Sequence, residues 1–195
     1  MNNFSSIIDE MKSHGMITPI KRVMVAIPDA ATVLHNAMEY FIGLEGKKLI
    51  WLPEYDEVAK WLENSEGKGL FLFGSCGQGK TVLTRYAIPA ILLKYNRIVC
   101  NCFDMNAANK NPELVLSKRI ISLDDIGTED VSNQYGNKRL VFAEVVDQAE
   151  KDGKLLILTS NLGKDQIVEK YGDRVYDRVI ATTKRIVFNG KSLRK

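Results

Sequence analysis

The sequence predicts an α/β fold, a mostly parallel sheet covered by helices on both faces, preceded by a small helical region. Three observations predict it. From Gly69 onward, short continuous apolar runs alternate with amphipathic stretches of helical period, the pattern of strands buried on both sides. A glycine-rich turn, Gly74 to Gly79, separates the first apolar run from a helix-like run that begins at Lys80. The chain has 195 residues, 45% of them hydrophobic, which is enough for one domain with a proper core. Its 26% charged residues carry interspersed signs, which argues against global disorder.

The elements follow in chain order. Phe4, Ile7, Ile8 and Met11 form one helical stripe. After Pro28-Asp29, a longer stripe runs through Ala30, Val33, Leu34, Ala37, Met38 and Phe41. A third short helix follows Pro53, with Val58, Trp61 and Leu62 on one side. Residues 1–65 therefore read as a helical N-terminal region, closed by the turn "NSEGKG", and residues 66–195 as the α/β domain. Strands are expected at Leu70–Phe73, Ile98–Phe103, Ile120–Leu123, Leu155–Thr159 and Arg185–Phe188. Pro89 is expected to interrupt and kink the helix after the glycine turn. The clearest helix is Asn137–Asp152, with Val141, Phe142, Val145, Val146 and Ala149 in a stripe closed by Gly153.

Composition narrows the function classes. The opening "MNNFSSIIDEMKSHG" has no signal-peptide core, and no segment approaches the ~20 apolar residues of a membrane span, so a soluble, cytoplasmic protein is expected. Three cysteines and two histidines make neither a disulfide scaffold nor a zinc site. Cys100 and Cys102 share one face of a strand and read as core packing. A net charge of +3 does not by itself indicate nucleic acid. Lys184, Arg185, Lys191, Arg194 and Lys195 gather near the end and leave a local phosphate contact open beside a merely solvated tail.

Four motifs carry chemistry. Gly74-Ser75-Cys76-Gly77-Gln78-Gly79-Lys80-Thr81 matches G-x-x-x-x-G-K-[ST] and sits between a strand and a helix, as that motif requires. Its glycines let backbone N–H groups converge on phosphate oxygens at the positive end of the next helix. Lys80 then reaches the β- and γ-phosphates of ATP, and the Thr81 hydroxyl ligates Mg²⁺. Second, Ile120–Leu123 runs into the adjacent carboxylates Asp124 and Asp125. Two unpaired acids at a buried strand end call for a cation. Asp124 is assigned to the metal and Asp125 to the attacking water, the alternative being a strand that runs out into an acidic turn with Glu129 and Asp130. Third, Leu155–Leu158 ends in Thr159, Ser160 and Asn161, and Asn161 can orient the water from a neighbouring strand end. Fourth, "YGDRVYDRV", residues 171 to 179, places Val175 and Val179 inward and Arg174 and Arg178 together at i, i+4. That spacing suggests an external anion, such as the γ-phosphate of a neighbouring subunit, with local pairing of Arg174 to Asp177 as the alternative.

In this order and spacing, "GSCGQGKT", "SLDDIG", "LILTSN", "YGDRVYDRV" and the ending "VFNGKSLRK" resemble the DnaC-like branch of the AAA+ ATPases, over residues 50 to 195. That branch holds bacterial and phage helicase loaders and the IstB-like transposase helper ATPases. The resemblance implies a P-loop NTPase sheet ordered 5-1-4-3-2 and ATP hydrolysis at sites shared between subunits that self-associate on ATP. It makes Arg178 the arginine finger and Arg194 a sensor of the γ-phosphate. It also implies a replicative DNA helicase as partner, engaged by the N-terminal region, with possible single-stranded DNA contacts. Three features depart from the pattern: the chain stops six residues after Asn189, leaving no full lid; the second acid is Asp125 rather than the commoner glutamate; and only about fifteen residues lie between the second strand and Ile120.

The expected function is that of an ATP-hydrolysing helicase loader acting in DNA replication. The alternatives are an ATPase regulator of a transposase, a nucleotide-binding adapter with little hydrolysis and, more remotely, a small-molecule P-loop kinase. For docking, the helix Asp29–Ile42 is the first candidate, the alternative being that it packs on the sheet.

Overall fold

The computed structural model describes residues 4–129, 132–134 and 137–193. Five strands form one parallel sheet in the order β2-β3-β6-β1-β7. They are β1 Gly69–Gly74, β2 Asn101–Asp104, β3 Ile120–Ile126, β6 Leu155–Ser160 and β7 Thr183–Phe188. Counted among themselves, this is the order 5-1-4-3-2 that the resemblance implied. Two short strands, β4 Ser132–Gln134 and β5 Asn137–Arg139, pair antiparallel outside the main sheet.

Alternation along the central strands sends side chains to opposite faces, and two cores result. Leu70 and Leu72 point to one face, Phe71 to the other. On the first face, Leu70, Leu72, Ile157, Ile186 and Phe188 meet α2 Ala30–Gly43, α3 Pro53–Glu63 and the helical residues 80–96. On the second, Phe71, Ile121, Leu123, Leu156 and Leu158 meet the helices Val141–Asp152, Lys164–Tyr171 and Asp173–Thr182. Leu34 and Met38 of α2 and Tyr55, Val58, Trp61 and Leu62 of α3 are fully buried, so those stripes are covered within the chain. The Trp61 Nε1–H donates to the carbonyl of Lys68 at 2.9 Å, tying α3 to the entry of β1. In contrast, among the described residues of α1 Phe4–Ser13 none joins either core, and Phe4 and Ile7 stand exposed.

Four expectations need correction. The helix expected from Asn137 begins at Val141, and Asn137–Arg139 forms β5 instead, because these polar residues hold no place in the apolar stripe. The strand expected at Ile98 begins at Asn101: Arg97 is left-handed (φ 56°), and pairing to β3 starts only at Asn101 opposite Ile121. Since β2 is an edge strand, Cys102 is exposed while Cys100 is half-buried against the first core. Pro89 does not break its helix, which runs through residues 80–96. The preceding turn, Leu83–Ala87, widens to π-helical spacing, which makes room for the ring where the i−4 carbonyl would clash. Among the described residues, no helix is long and apolar enough to cross a membrane.

Candidate functional site

The glycine turn bends where the sequence places it. Gly79 has φ 78°, and a Cβ there would lie 2.5 Å from the Tyr55 hydroxyl. Gly74 has φ 114°, and its Cβ would meet the carbonyl of Phe188 at 2.3 Å. Both positions demand glycine. The Lys80 side chain is nearly buried, and its ammonium donates to the carbonyls of Gly74 at 2.8 Å and Ser75 at 2.7 Å, so it lies inside the turn. The loop is tied from outside by β7 and the chain after it. The Ser75 N–H donates to Phe188 O at 2.7 Å, and the Leu193 N–H to Gly77 O at 2.9 Å. Gln78 is 1% exposed and turned away from the cavity, its Nε2 3.5 Å from Lys191 O, so its side chain braces the loop. Ser75 and Cys76 are exposed.

Tyr55 holds the same loop from below. Its hydroxyl donates to the Gln78 carbonyl at 3.0 Å. Burial, reinforced by Glu54, pushes the phenol up to about 12, so it remains a donor at any physiological pH. Tyr55→Phe leaves that carbonyl without its donor and is expected to lower stability by about 1 kcal/mol in urea unfolding. An unchanged midpoint would show that the carbonyl finds another partner.

At the end of β3 the ladder slips between Leu123 and Ile126, and Asp125 takes a left-handed backbone (φ 57°). This conformation costs about 1 kcal/mol for a residue with a Cβ, and aspartate tolerates it better than most. The result separates the two acids. Asp124 is 2% exposed. Its Oδ1 accepts from the Thr159 hydroxyl at 2.6 Å and from the Thr81 hydroxyl at 3.4 Å. Asp125 instead lines the cavity, with its N–H on Thr159 Oγ1 at 2.8 Å and its Oδ1 accepting from Asn161 Nδ2 at 3.3 Å. The paired acids called for a cation, and one from the chain itself is at hand: Arg85 Nε lies 2.9 Å from Asp124 Oδ2.

Lys80, Thr81, Asp125 and Asn161 thus face one cavity of about 380 Å³, together with Cys76, Gly77 and Gly79. Its outer wall includes Lys47 and Lys48 from the segment between α2 and α3, and Tyr86. Arg174 and Arg178 do not reach it. They line a shallow surface beside the helix Val141–Asp152, where Arg178 pairs with Asp147 and, at 2.8 Å, with Glu150. Arg174 is exposed beside them. Arg194 lies outside the described residues.

A buried carboxylate links the turn after β3 to the helix Lys164–Tyr171, which precedes the arginine-bearing one. Glu129 Oε2 accepts the Gly127 N–H at 2.8 Å, and the Tyr171 hydroxyl donates to its Oε1. Lys170 closes the latch on the carbonyls of Gly127 (2.7 Å) and Glu129 (2.6 Å). Burial and the Glu129 carboxylate raise the Tyr171 phenol far above its usual range, so it stays a donor. Sequence reasoning missed Tyr55, Arg85, Lys47, Lys48 and this latch. Arg85 left one signal, since it stands at i+4 from Thr81 on the same helical face.

Would this site accept the groups the motif implies? A cradle closed to any Cβ, a buried ammonium, a hydroxyl beside a carboxylate and a second carboxylate in the cavity are the donor set of a nucleotide triphosphate with Mg²⁺, and they fit it.

No family model and no curated protein matches the chain. Solved structures do. The chain is similar to the DnaC helicase loader, with a TM-score of 0.61 at 18% identity over 81% of this chain and 99% of that one. It is similar to DnaI, with a TM-score of 0.56 at 19% identity over 84% and 95%. AMPPCP-bound DnaA from Aquifex aeolicus follows, with a TM-score of 0.52 at 18% identity over 71% of this chain and 48% of that one. The fold is that of the AAA+ P-loop NTPases such as DnaC and DnaA.

Proposed function

We propose that this chain, having the fold of the DnaC-like AAA+ ATPases, is an ATP-binding and ATP-hydrolysing helicase loader of DNA replication. The observation that carries the reading is the convergence of Lys80, Thr81, Asp125 and Asn161 on one cavity under a glycine cradle. Backbone N–H groups of Gly74–Thr81 bind the phosphates, and Lys80 leaves the loop carbonyls for the β- and γ-oxygens. Asp125 accepts a proton from the attacking water, and Asn161 orients that carboxylate. Thr81 and Asp124 would hold Mg²⁺, which would supply charge neutralisation for the phosphates. Arg194 completes the phosphate contacts.

Arg174 and Arg178 act on the nucleotide of a neighbouring subunit, which is consistent with their distance from the chain's own cavity. Arg178→Ala and Arg174→Ala are each expected to bind ATP normally and to lose about 100-fold or more in turnover. Added Lys80→Ala protein then restores part of the activity, because an intact finger meets an intact cradle. Turnover independent of protein concentration, with no rescue, would contradict shared sites.

Residues 1–65 are the proposed docking part. Within them the exposed apolar side of α1, with Phe4 and Ile7, is the part available to a partner, since the stripes of α2 and α3 are covered. The test mixes the full chain with the purified replicative helicase of its source and follows co-elution with ATP, with ADP and without nucleotide. Nucleotide-dependent co-elution supports the reading. No complex with helicase, and a complex with a transposase in the same assay, would replace it with the transposase-regulator reading.

A further inference from the structure

Arg85 is brought against the buried acid, and its surroundings give it two carboxylates to choose between. Asp104 and Asp124 stand opposite one another across β2 and β3, at the carboxyl ends of both strands. Arg85 Nε lies 2.9 Å from Asp124 Oδ2, and its Nη2 lies 3.7 Å from Asp104 Oδ2. The first contact is close but poorly aligned, since the buried Nε–H makes no directed hydrogen bond. It is therefore held by charge alone. Asp104 is firmly placed by another duty: its Oδ1 caps the helix Met105–Lys110 by accepting the Ala107 N–H at 2.7 Å, leaving Oδ2 toward the guanidinium.

Asp124 is 2% exposed, and a carboxylate so buried calls for a counter-charge beside it. Two cations have access to it from different sides. The guanidinium covers Oδ2, while Oδ1 faces the Thr81 hydroxyl. A divalent ion held by Thr81 and Asp124 would bring two positive charges close to a third, and the arginine, about a third of whose side chain is exposed, has room to move away.

We propose that Arg85 competes with the divalent cation for Asp124, and that Asp104 receives the guanidinium when the cation wins. Arg85 is then a positioning residue that sets the Mg²⁺ concentration at which nucleotide is taken up, and Asp104 is its second seat. The proposal rests on the nucleotide-binding reading above.

The experiment titrates a fluorescent ATP analogue into the full chain at stepped Mg²⁺, and again in EDTA, to obtain the Mg²⁺ midpoint separately from metal-free affinity. Arg85→Gln is expected to lower the midpoint roughly three- to tenfold by removing the competitor. Asp104→Asn, which keeps the helix cap, is expected to raise it by a similar factor, because the guanidinium loses its charged second seat. The double variant should match Arg85→Gln, and Arg85→Lys should stay near the wild-type midpoint. An Arg85→Gln midpoint at or above wild type overturns the proposal. Should Arg85→Gln not fold, an unmoved midpoint in Asp104→Asn overturns it instead. A wild-type chain that binds the analogue in no condition ends the nucleotide reading, and this inference with it. Wild-type binding with unmoved midpoints ends this inference alone.

Discussion

Lys80→Ala is expected to bind ATP about 100-fold more weakly while keeping its fold. The side chain is nearly buried, and its ammonium donates to the loop carbonyls of Gly74 and Ser75. Both residues sit on the turn, Ser75 exposed and Gly74 half-buried, where water can meet their carbonyls. The folded state therefore loses little, whereas the phosphates lose charge-assisted hydrogen bonds of about 3 kcal/mol, which is about 100-fold in affinity. Equilibrium binding of a fluorescent ATP analogue, with circular dichroism as the control for folding, measures both halves. Undiminished binding would mean that the cradle does not serve phosphate.

Asp125→Asn should produce the opposite profile. Nucleotide and Mg²⁺ bind as before, and single-turnover hydrolysis falls by about 100-fold or more, the usual contribution of a positioned base. The left-handed backbone at this position tolerates asparagine as well as aspartate, so the geometry survives the change. Asp124→Asn, in contrast, disturbs the carboxylate between Thr81, Thr159 and Arg85, and should weaken the Mg²⁺-dependent part of binding. If the two variants exchange behaviours, the roles of the acids are reversed.

The central strands β1, β3 and β6 were legible because each is a short apolar run bounded by turn residues and buried on both faces. The edge strand β2, Asn101–Asp104, has no such run and was placed too early. The cradle was legible because three glycines between a strand and a helix have no cheap alternative use. What escaped the sequence has a common physical origin. Tyr55 and Arg85 look like an ordinary core aromatic and an ordinary surface cation until the fold brings one beneath Gln78 and the other beside Asp124. The hairpin of β4 and β5 carries no apolar alternation, since Ser132–Gln134 and Asn137–Arg139 are polar, and only backbone pairing defines it. The distant partner of Glu129, Tyr171, reads in sequence as one more residue of an amphipathic helix.

The meeting of α3 with β7 bears on the order of events at the ribosome. Tyr55 and Phe188 rings lie 6.2 Å apart, and Glu57 pairs with Lys184 at 3.6 Å, although most of the chain separates them. A nascent chain that has released α2, α3 and β1 leaves open the face of α3 and the edge of β1 that β7 will occupy. Such long-range closure is slow, and until it occurs an apolar helical surface and an unpaired strand edge stay open together. The growing polypeptide should therefore depend on a holding chaperone until β7 emerges, and stalled intermediates that end before Thr183 should be degraded by protease while the released full-length chain resists it.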